Sequence, residues 1–366
     1  MILFLSLILC LIICIIGSTS KRMLENKKLF FYIMAFLLIV SVGLRVYDFG
    51  DFVQYNINFD NCSKMSWQQI FVNIDKEYLQ AILLKVLSIL GFNAQAYFFI
   101  ASIITIYGFF RFIVKKSRNP YITLMLCISM GCIFTMCNIT RQYIAISLIL
   151  LAYLNFDEKK YIKSIIFAVC ASQFHITAIL IIVIFIFYTL FLKRLKLFEN
   201  KKLLFGLNLV LMILLSPTFE KIFLGTSSAN EINNLSSISE LASIGQYGAN
   251  TANKIYILVA IVLYILLILL RNFNKTKNKV SINTVLNCYY FIFVLYGCIS
   301  SVLYFRLADY FILFLLTDIS NEFVKANRYL GRYNFVFYLG FMVTFIILAL
   351  GPNIQYFKYY MFYFFN

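Results

Sequence analysis

The chain has 366 residues, of which 62% are hydrophobic and only 13% charged, and its mean hydropathy is +0.87. A soluble domain carries about 25% charged residues, so this composition predicts an integral membrane protein. The net charge of +17 comes from Lys and Arg in short segments between apolar runs, the topology signal of membrane proteins. Nucleic acid is not predicted as a partner, because no basic groove is interleaved with exposed aromatic residues.

The apolar runs predict an all-α, polytopic membrane protein that forms a single transmembrane domain over 1–366. Residues 1–17 have no basic segment before them and no small-residue cleavage site after them, so they predict a first transmembrane helix and not a removable signal peptide. About 12 spans are predicted, at about 1–17, 29–44, 95–114, 120–138, 141–156, 161–173, 175–192, 203–219, 254–270, 282–303, 306–320 and 333–350.

Two stretches need a separate decision. The amphipathic stretch 78–92 is predicted to be a re-entrant or interfacial helix, with a spanning helix as the alternative. As one helix, the run 161–192 would be about 48 Å long, against a bilayer core of about 30 Å. A break is therefore predicted at 173–175.

The basic residues orient the chain. If 78–92 returns to the side that it came from, 23 of the 32 Lys and Arg lie in short loops on one side and nine lie on the other. The loops of the richer side are 18–28, 111–118, 157–163, 193–202, 271–279 and 321–332. The richer side is predicted to be cytoplasmic, so both termini face outward. Two larger segments, about 45–94 and 220–253, then lie on the outer side, where long loops are functional or disordered.

The polar residues that interrupt the apolar runs fall on this outer side. Arg141, Arg306 and His175, the single histidine of the chain, each begin an inward-running helix, whereas Arg45 ends one. A helix N-terminus exposes unpaired N–H groups and favours an anion, and a guanidinium binds phosphate oxygens in pairs. The pattern predicts an anion site at the outer face.

Each of these residues also has a structural interpretation. Arg141 could be a cation whose side chain reaches water from the interface, and Arg306 could pair with Asp309 one turn further along its helix. Arg45 is favourable at a helix C-terminus in any case, and His175 could be a hydrogen-bonded structural residue.

The acids of the first outer segment are candidate bases or acceptor-binding groups, with solvated loop acids as the alternative. They are Asp48, Asp51, Asp75 and Glu77. A metal site is not predicted, because there is one histidine and no cluster of Cys and His. The nine cysteines have no CxxC spacing and are interpreted as small hydrophobic residues. No cofactor is predicted.

Four motifs follow one another along the chain: Arg45…Gly50-Asp51…Tyr55, Arg141-Gln142…Ala145, Ser172-x-Phe174-His175-x-Thr177-Ala178 and Arg306-Leu307-x-x-Tyr310-Phe311. In this order they resemble the EpsG family, which lies among the Wzy-type polymerases of bacterial O-antigen, capsule and exopolysaccharide. The resemblance extends over about residues 29–320. The first motif lacks the usual tyrosine after its aspartate, and Asp48 is an alternative acid.

The resemblance implies a glycosyltransferase on the outer face of the bacterial inner membrane, which joins repeat units carried on undecaprenyl diphosphate and needs no cofactor. It names as partners the lipid-linked oligosaccharide and the bilayer, with a flippase and a chain-length regulator as further candidates. Candidate catalytic residues are Arg141, Arg306, His175 and Asp51, and candidate substrate-binding residues are Arg45, Asp48, Tyr55, Glu77, Gln142 and Tyr310.

In this scheme Arg141 and Arg306 stabilise the leaving phosphate, and Arg45 assists or holds the acceptor's diphosphate. His175, or an acid among Asp48, Asp51 and Glu77, deprotonates the acceptor hydroxyl. Two other functions remain as alternatives. A transporter or flippase of lipid-linked saccharide would hold its charges near the bilayer midplane. A membrane acyltransferase would use His175 with a donor from the cytoplasm.

Overall fold

The computed structural model describes residues 2–45, 51–73, 77–187, 260–272, 274, 282–299 and 302–330. All regular secondary structure within these residues is helical, which confirms the predicted all-α class. They fall into two compact units, the first holding the described residues up to Ile184 and the second those from Phe185 onward. The predicted spans at 203–219 and 333–350 and the predicted outer segment 220–253 lie outside the described residues.

The chain up to Phe187 is organised as a succession of helices with short connections. They are α1 (Ile2–Thr19), α2 (Lys21–Glu25), α3 (Lys27–Gly43), α4 (Asp51–Lys64), α5 (Trp67–Asn73), α6 (Tyr78–Ile89), α7 (Ala94–Lys116), α8 (Pro120–Ser129), α9 (Cys132–Asn138), α10 (Thr140–Asp157), α11 (Tyr161–Phe174) and α12 (Ala178–Phe187).

Among the described residues, α1 and α7 are long and apolar enough to cross a membrane. The pair α8 and α9 makes a third span if the two are counted together, with a bend of 56° between them. The predicted single span at 120–138 is therefore broken. Gly131 lies at the break with φ of +71°, a backbone conformation that glycine adopts without a steric penalty. The total of about 12 spans stays a prediction.

The core of the first unit is a row of packed helices. Helix α7 packs against α3 on one side and α10 on the other, and α10 packs against α11. Every residue of α10 from Gln142 to Asn155 is buried. A helix that is buried on all sides lies at the centre of its bundle, so α10 fixes the position of its neighbours.

A small residue allows α7 and α10 to approach closely. A Cβ atom added at Gly108 would lie 2.9 Å from the Ser147 carbonyl oxygen and closer still to the Ser147 hydroxyl. That hydroxyl donates a hydrogen bond of 2.7 Å to the Ile104 carbonyl across the same interface. Close contact at small residues is a common way for membrane helices to associate.

Gly108→Leu is therefore expected to reduce the yield of folded protein, because overpacking a tight interface costs about 1–3 kcal/mol. The measurement is the monodisperse fraction in size-exclusion chromatography after a heating series in detergent. The matched control is Ile103→Leu, since Ile103 is 41% exposed on the outer surface of the same helix. Equal heat resistance of the two variants would contradict this account of the α7–α10 interface.

One predicted feature of the outer region is confirmed, one stays a prediction, and one helical segment was missed. Helix α6 has 12 residues, about 18 Å, which is shorter than the bilayer core, and its re-entrant or interfacial placement stays a prediction. The predicted break in 161–192 is present, because α11 ends at Phe174 and α12 begins at Ala178. The missed segment is 51–73, which was interpreted as a loop and forms α4 and α5.

The described part of the second unit consists of α13 (Ala260–Asn272), α14 (Ile282–Ile299) and α15 (Val302–Leu330). Asp318 on α15 accepts hydrogen bonds from Arg271 at 3.1 Å and Asn287 at 2.7 Å, which joins the three helices. The prediction of a loop at 321–332 is wrong for the residues up to Leu330. These residues continue α15, which has 29 residues in total.

Candidate active site

The ends of three helices meet on one side of the first unit. Helix α10 begins one residue before Arg141, α11 ends one residue before His175, and α6 begins one residue after Glu77. Because each residue stands at a helix end, its side chain can turn away from the packed bundle. The three side chains form a connected cluster, which we call the Glu77 cluster.

Glu77 is the centre of this cluster. Its Oε2 lies 2.7 Å from Arg141 Nη1, and its Oε1 lies 2.6 Å from His175 Nδ1. The backbone N–H of Ile176 also donates to Oε1, at 3.2 Å. One carboxylate thus holds residues that are 64 and 98 positions away in the sequence.

The backbone of Glu77 is held in an uncommon conformation. Its φ of +64° and ψ of +44° lie in the left-handed region, which is rare for residues other than glycine. Glu77 stands at the N-cap of α6, yet its side chain makes no capping hydrogen bond. The carboxylate contacts Arg141 and His175 instead. Strain that persists at a charged cluster is typical of a functional site.

The carboxylate is kept ionised by its neighbours. Burial would raise the pKa of Glu77, whose side chain is 14% exposed. The hydrogen bond and charge of His175, the charge of Arg141 and the Ile176 N–H outweigh burial and hold the pKa of Glu77 below its ordinary value of 4.5. The cluster therefore contains a carboxylate anion at neutral pH.

The lowered pKa predicts a pH-dependent contribution to stability. Since the pKa of Glu77 is lower in the folded than in the unfolded protein, its contribution is present above pH 4.5 and is lost as the pH falls through the lowered value. The thermal midpoint of the wild type should therefore exceed that of Glu77→Gln at neutral pH, and the difference should shrink in acid. Thermal unfolding in detergent, from about pH 3 to 7, measures it.

The control for this experiment is Asp60→Asn, which removes an exposed acid from α4 in the same outer region. Its thermal midpoint should follow the wild-type value throughout the series. A difference between wild type and Glu77→Gln that stays constant with pH would show that the ion pairs do not carry the effect.

Tyr55 of α4 supports Arg141 in two ways. Its Oη accepts a hydrogen bond from the Arg141 backbone N–H at 3.2 Å, and the guanidinium carbon of Arg141 lies 5.7 Å from the centre of the Tyr55 ring. The first contact satisfies a free N–H at the start of α10, and the second is a cation–π contact. Tyr55 was predicted to bind substrate, and here it holds a cluster residue.

Arg45 is buried next to the cluster, with 5% of its surface exposed. Its Nη1 donates to the Val42 carbonyl at 2.7 Å, and its Nη2 donates to the Thr140 hydroxyl at 2.7 Å. Its guanidinium carbon lies 4.6 Å from the centre of the Phe98 ring. Arg45 thus connects the end of α3 to the residue that precedes Arg141.

The remaining predicted site residues lie in different places. Gln142 is buried in α10, and Asp51 is the first residue of α4. Arg306 and Tyr310 lie on α15 in the second unit, where Arg306 is exposed and Tyr310 is fully buried. Asp48 lies outside the described residues.

Sequence reasoning missed Tyr97 and Phe98, which lie at the start of α7 and are both buried. The rings of Tyr55 and Tyr97 are 5.8 Å apart, and those of Phe52 and Phe98 stack at 4.5 Å. A signal was present in α4. Its buried residues recur at helical spacing, so the segment could have been recognised as a helix with one apolar face: Phe52, Tyr55, Phe59 and Cys62.

A second charged group lies at the opposite end of α7, α10 and α11. Lys116 pairs with Asp157 at 2.7 Å and Lys160 with Glu158 at 2.7 Å, and Lys115 also pairs with Glu158. These residues belong to two of the loops predicted to be cytoplasmic. The Glu77 cluster is therefore separated from them by the length of the helices. In the described ranges no group of three His, Cys, Asp or Glu side chains is placed to hold a metal ion.

Comparison with known proteins identifies a family for the chain. A family model described as the EpsG family matches residues 28–361, nearly the whole chain. The chain belongs to the EpsG family. No curated protein and no solved structure matches it.

Membership of the EpsG family, with the apolar helices, indicates a membrane protein that acts as a polymerase in polysaccharide biosynthesis. The resemblance found in the sequence motifs is thereby confirmed. The Glu77 cluster lies within the matched residues, at the end of the first unit opposite the basic loops.

Proposed function

We propose that this EpsG protein joins oligosaccharide repeat units carried on a lipid diphosphate, of the undecaprenyl type, at the outer face of the bacterial inner membrane. The growing chain passes from its carrier to a hydroxyl of the next unit, and the lipid diphosphate leaves. The observation that supports this proposal best is the pairing of His175 with Glu77 beside Arg141. This pairing brings a candidate base, His175, and a cation, Arg141, together where three helix ends meet.

His175 is placed to act as the base. A carboxylate accepts only, so the hydrogen bond of 2.6 Å from His175 Nδ1 to Glu77 Oε1 places a proton on Nδ1. In the neutral imidazole, Nε2 then carries the lone pair and can take the proton of the acceptor hydroxyl. Glu77 positions the ring and stabilises the imidazolium that forms, as the carboxylate does in other His–carboxylate pairs.

Arg141 is placed to stabilise the leaving group. As the acceptor oxygen bonds to the anomeric carbon, the bond from that carbon to the diphosphate oxygen breaks, and the electron pair remains on the phosphate. Arg141 uses Nη1 for Glu77, and its side chain is 35% exposed, so its other N–H groups can bind phosphate oxygens. The N-terminus of α10 adds to the positive potential at this position.

The outer face is supported by charge. The basic loops 111–118 and 157–163 lie at one end of α7, α10 and α11, and the positive-inside rule predicts that this end is cytoplasmic. The Glu77 cluster at the other end then faces the outer side. A lipid-linked donor suits that side, because its transfer needs no nucleotide sugar. A flippase that delivers the unit and a regulator of chain length remain candidate partners.

A reconstituted reaction tests the proposal. Purified protein in detergent, where the two sides of a membrane do not exist, is mixed with a lipid-diphosphate-linked repeat unit, and products are separated by size. A polymerase yields a ladder of longer chains and releases lipid diphosphate. A flippase leaves the unit unchanged, and an acyltransferase changes it only when an acyl donor is added; either result would overturn the proposal.

A further inference from the structure

The hydroxyl of Tyr97 has no hydrogen-bond partner within the described part of the chain, although the residue is only 1% exposed. A buried hydroxyl without a partner loses its bonds to water and gains none in return, which destabilises the folded protein. Such groups are uncommon in proteins and call for an explanation, such as a bound ligand.

Arg45 shows the same feature close by. Its Nε is buried and has no partner in the described residues, while Nη1 and Nη2 are both used. Within those residues no carboxylate lies within 4.0 Å of the Arg45 guanidinium. A buried cation is costly unless an anion accompanies it.

The two groups belong to one set of packed rings and cations. The Tyr97 ring lies 5.8 Å from the Tyr55 ring, and the Arg141 guanidinium carbon lies 5.7 Å from the centre of that same Tyr55 ring. The Phe98 ring lies under the Arg45 guanidinium and 5.6 Å from the Tyr97 ring. Among the described residues Arg141 is paired with Glu77 and Arg45 has no carboxylate partner, so this set of side chains carries an excess of positive charge.

We propose that the Tyr97 hydroxyl and Arg45 Nε are the inner donors of an anion site, with Arg141 at its entrance, that binds a phosphate oxygen of a lipid diphosphate. The identity of this anion rests on the proposed function, whereas the site itself follows from the unpartnered donors. Both inner donors are buried, so side chains move before the anion reaches them, and Arg141, the most exposed of the three, contacts it first.

Tyr97→Phe tests the proposal, because it removes only the hydroxyl. That hydroxyl makes no hydrogen bond with the described residues, so the thermal midpoint of the ligand-free variant should equal or exceed that of the wild type. A hydrogen bond to a charged group contributes about 1.5–3 kcal/mol, so affinity for a diphosphate should fall about tenfold or more. Binding is measured by calorimetry with farnesyl diphosphate, with inorganic pyrophosphate, and with farnesol as the uncharged probe.

Tyr121→Phe is the matched control. Tyr121 is equally buried, but its hydroxyl donates to the Met23 carbonyl at 2.9 Å, in the region of the basic loops. This variant should have a lower thermal midpoint and unchanged affinity for either diphosphate. Farnesyl diphosphate binding tighter than pyrophosphate identifies a lipid diphosphate as the ligand, and equal binding would identify phosphate alone and overturn that part of the proposal.

Undiminished diphosphate binding by Tyr97→Phe would overturn the site, and would instead point to a buried water as the partner of the hydroxyl. This result is independent of catalysis. If wild-type protein polymerises and Tyr97→Phe binds diphosphate normally, the site is wrong and the proposed function stands. If the wild-type protein forms no polymer, but Tyr97→Phe binds diphosphate more weakly than the wild type, the site stands and the proposed function is wrong.

Discussion

Arg141→Ala is expected to stop chain elongation, so that single repeat units replace long polymer in cells that lack any other polymerase. The reason is that Arg141 provides the exposed cation of the Glu77 cluster, at the N-terminus of α10. Removing a donor that stabilises developing negative charge lowers turnover by about a hundredfold to a thousandfold. Gel analysis of the polysaccharide, with protein amounts determined from the same cells, measures the result.

Two further variants distinguish the effect of the positive charge at Arg141 from the effect of the guanidinium shape. Arg141→Lys keeps the charge but cannot bind two phosphate oxygens side by side, so it should recover only part of the activity. Arg111→Ala removes a half-buried arginine from the other end of α7, where it contacts Tyr107, and should make polymer of normal length. Long polymer from Arg141→Ala at normal protein amounts would exclude Arg141 as the phosphate ligand.

Arg306 is tested in the same assay. The sequence predicts that it also binds phosphate, and the structure places it, exposed, near the start of α15 in the second unit. Arg306→Ala should therefore leave short chains as well. Asp309→Asn addresses the alternative that Arg306 serves only to pair with Asp309. If that alternative holds, both variants should lose folded protein rather than activity alone.

His175→Ala is expected to lower the rate of polymerisation by about a hundredfold to ten-thousandfold, the contribution typical of a general base. The effect should fall on kcat more than on KM, because the proton moves only as the new bond forms. Imidazole added to the reaction should restore part of the rate, since it can fill the space left by the side chain. A purely structural histidine would not be replaced by imidazole, so absence of rescue with folded protein contradicts the role as base.

Glu77→Gln separates the two partners of the carboxylate. Alone, it should lower kcat, because the charge that stabilises the His175 imidazolium and pairs with Arg141 is lost. In the His175→Ala background a further loss can only come through Arg141, and in the Arg141→Ala background only through His175. If Glu77 acts by positioning His175, the double variant with His175→Ala should be little slower than His175→Ala itself. A full additional loss there would assign Glu77 to Arg141 instead.

The site residues that sequence reasoning could identify were those that interrupt hydrocarbon. Arg141 and His175 stand out because a charged or titratable group is costly in an apolar run, and the break before His175 follows from helix length alone. Glu77 was a candidate base and substrate-binding residue, but only as one of several acids. It belongs to a polar segment with several acids, where nothing distinguishes a buried carboxylate from a solvated one.

The helices outside the predicted spans were harder to foresee for a different reason. The buried face of α4 is hidden among Asn, Asp and Gln, so its mean hydropathy is low although Tyr55 and Phe59 recur at helical spacing. In α15 the charged residues after Ser320 suggested a loop, yet Glu322 and Phe323 are buried and Lys325 pairs with Glu322. Charges that are satisfied within a helix do not end it.

The sequence by itself determined the membrane character, the all-α class, the family and the outer placement expected for Arg141 and His175. These follow from composition, from the period and length of apolar runs and from the distribution of Lys and Arg, all of which are local properties. Only the tertiary structure decided that Glu77 joins these two residues and that Tyr97 and Arg45 lie beside them. Contacts between residues 64 and 98 positions apart depend on how α6, α10 and α11 pack, which no local pattern specifies.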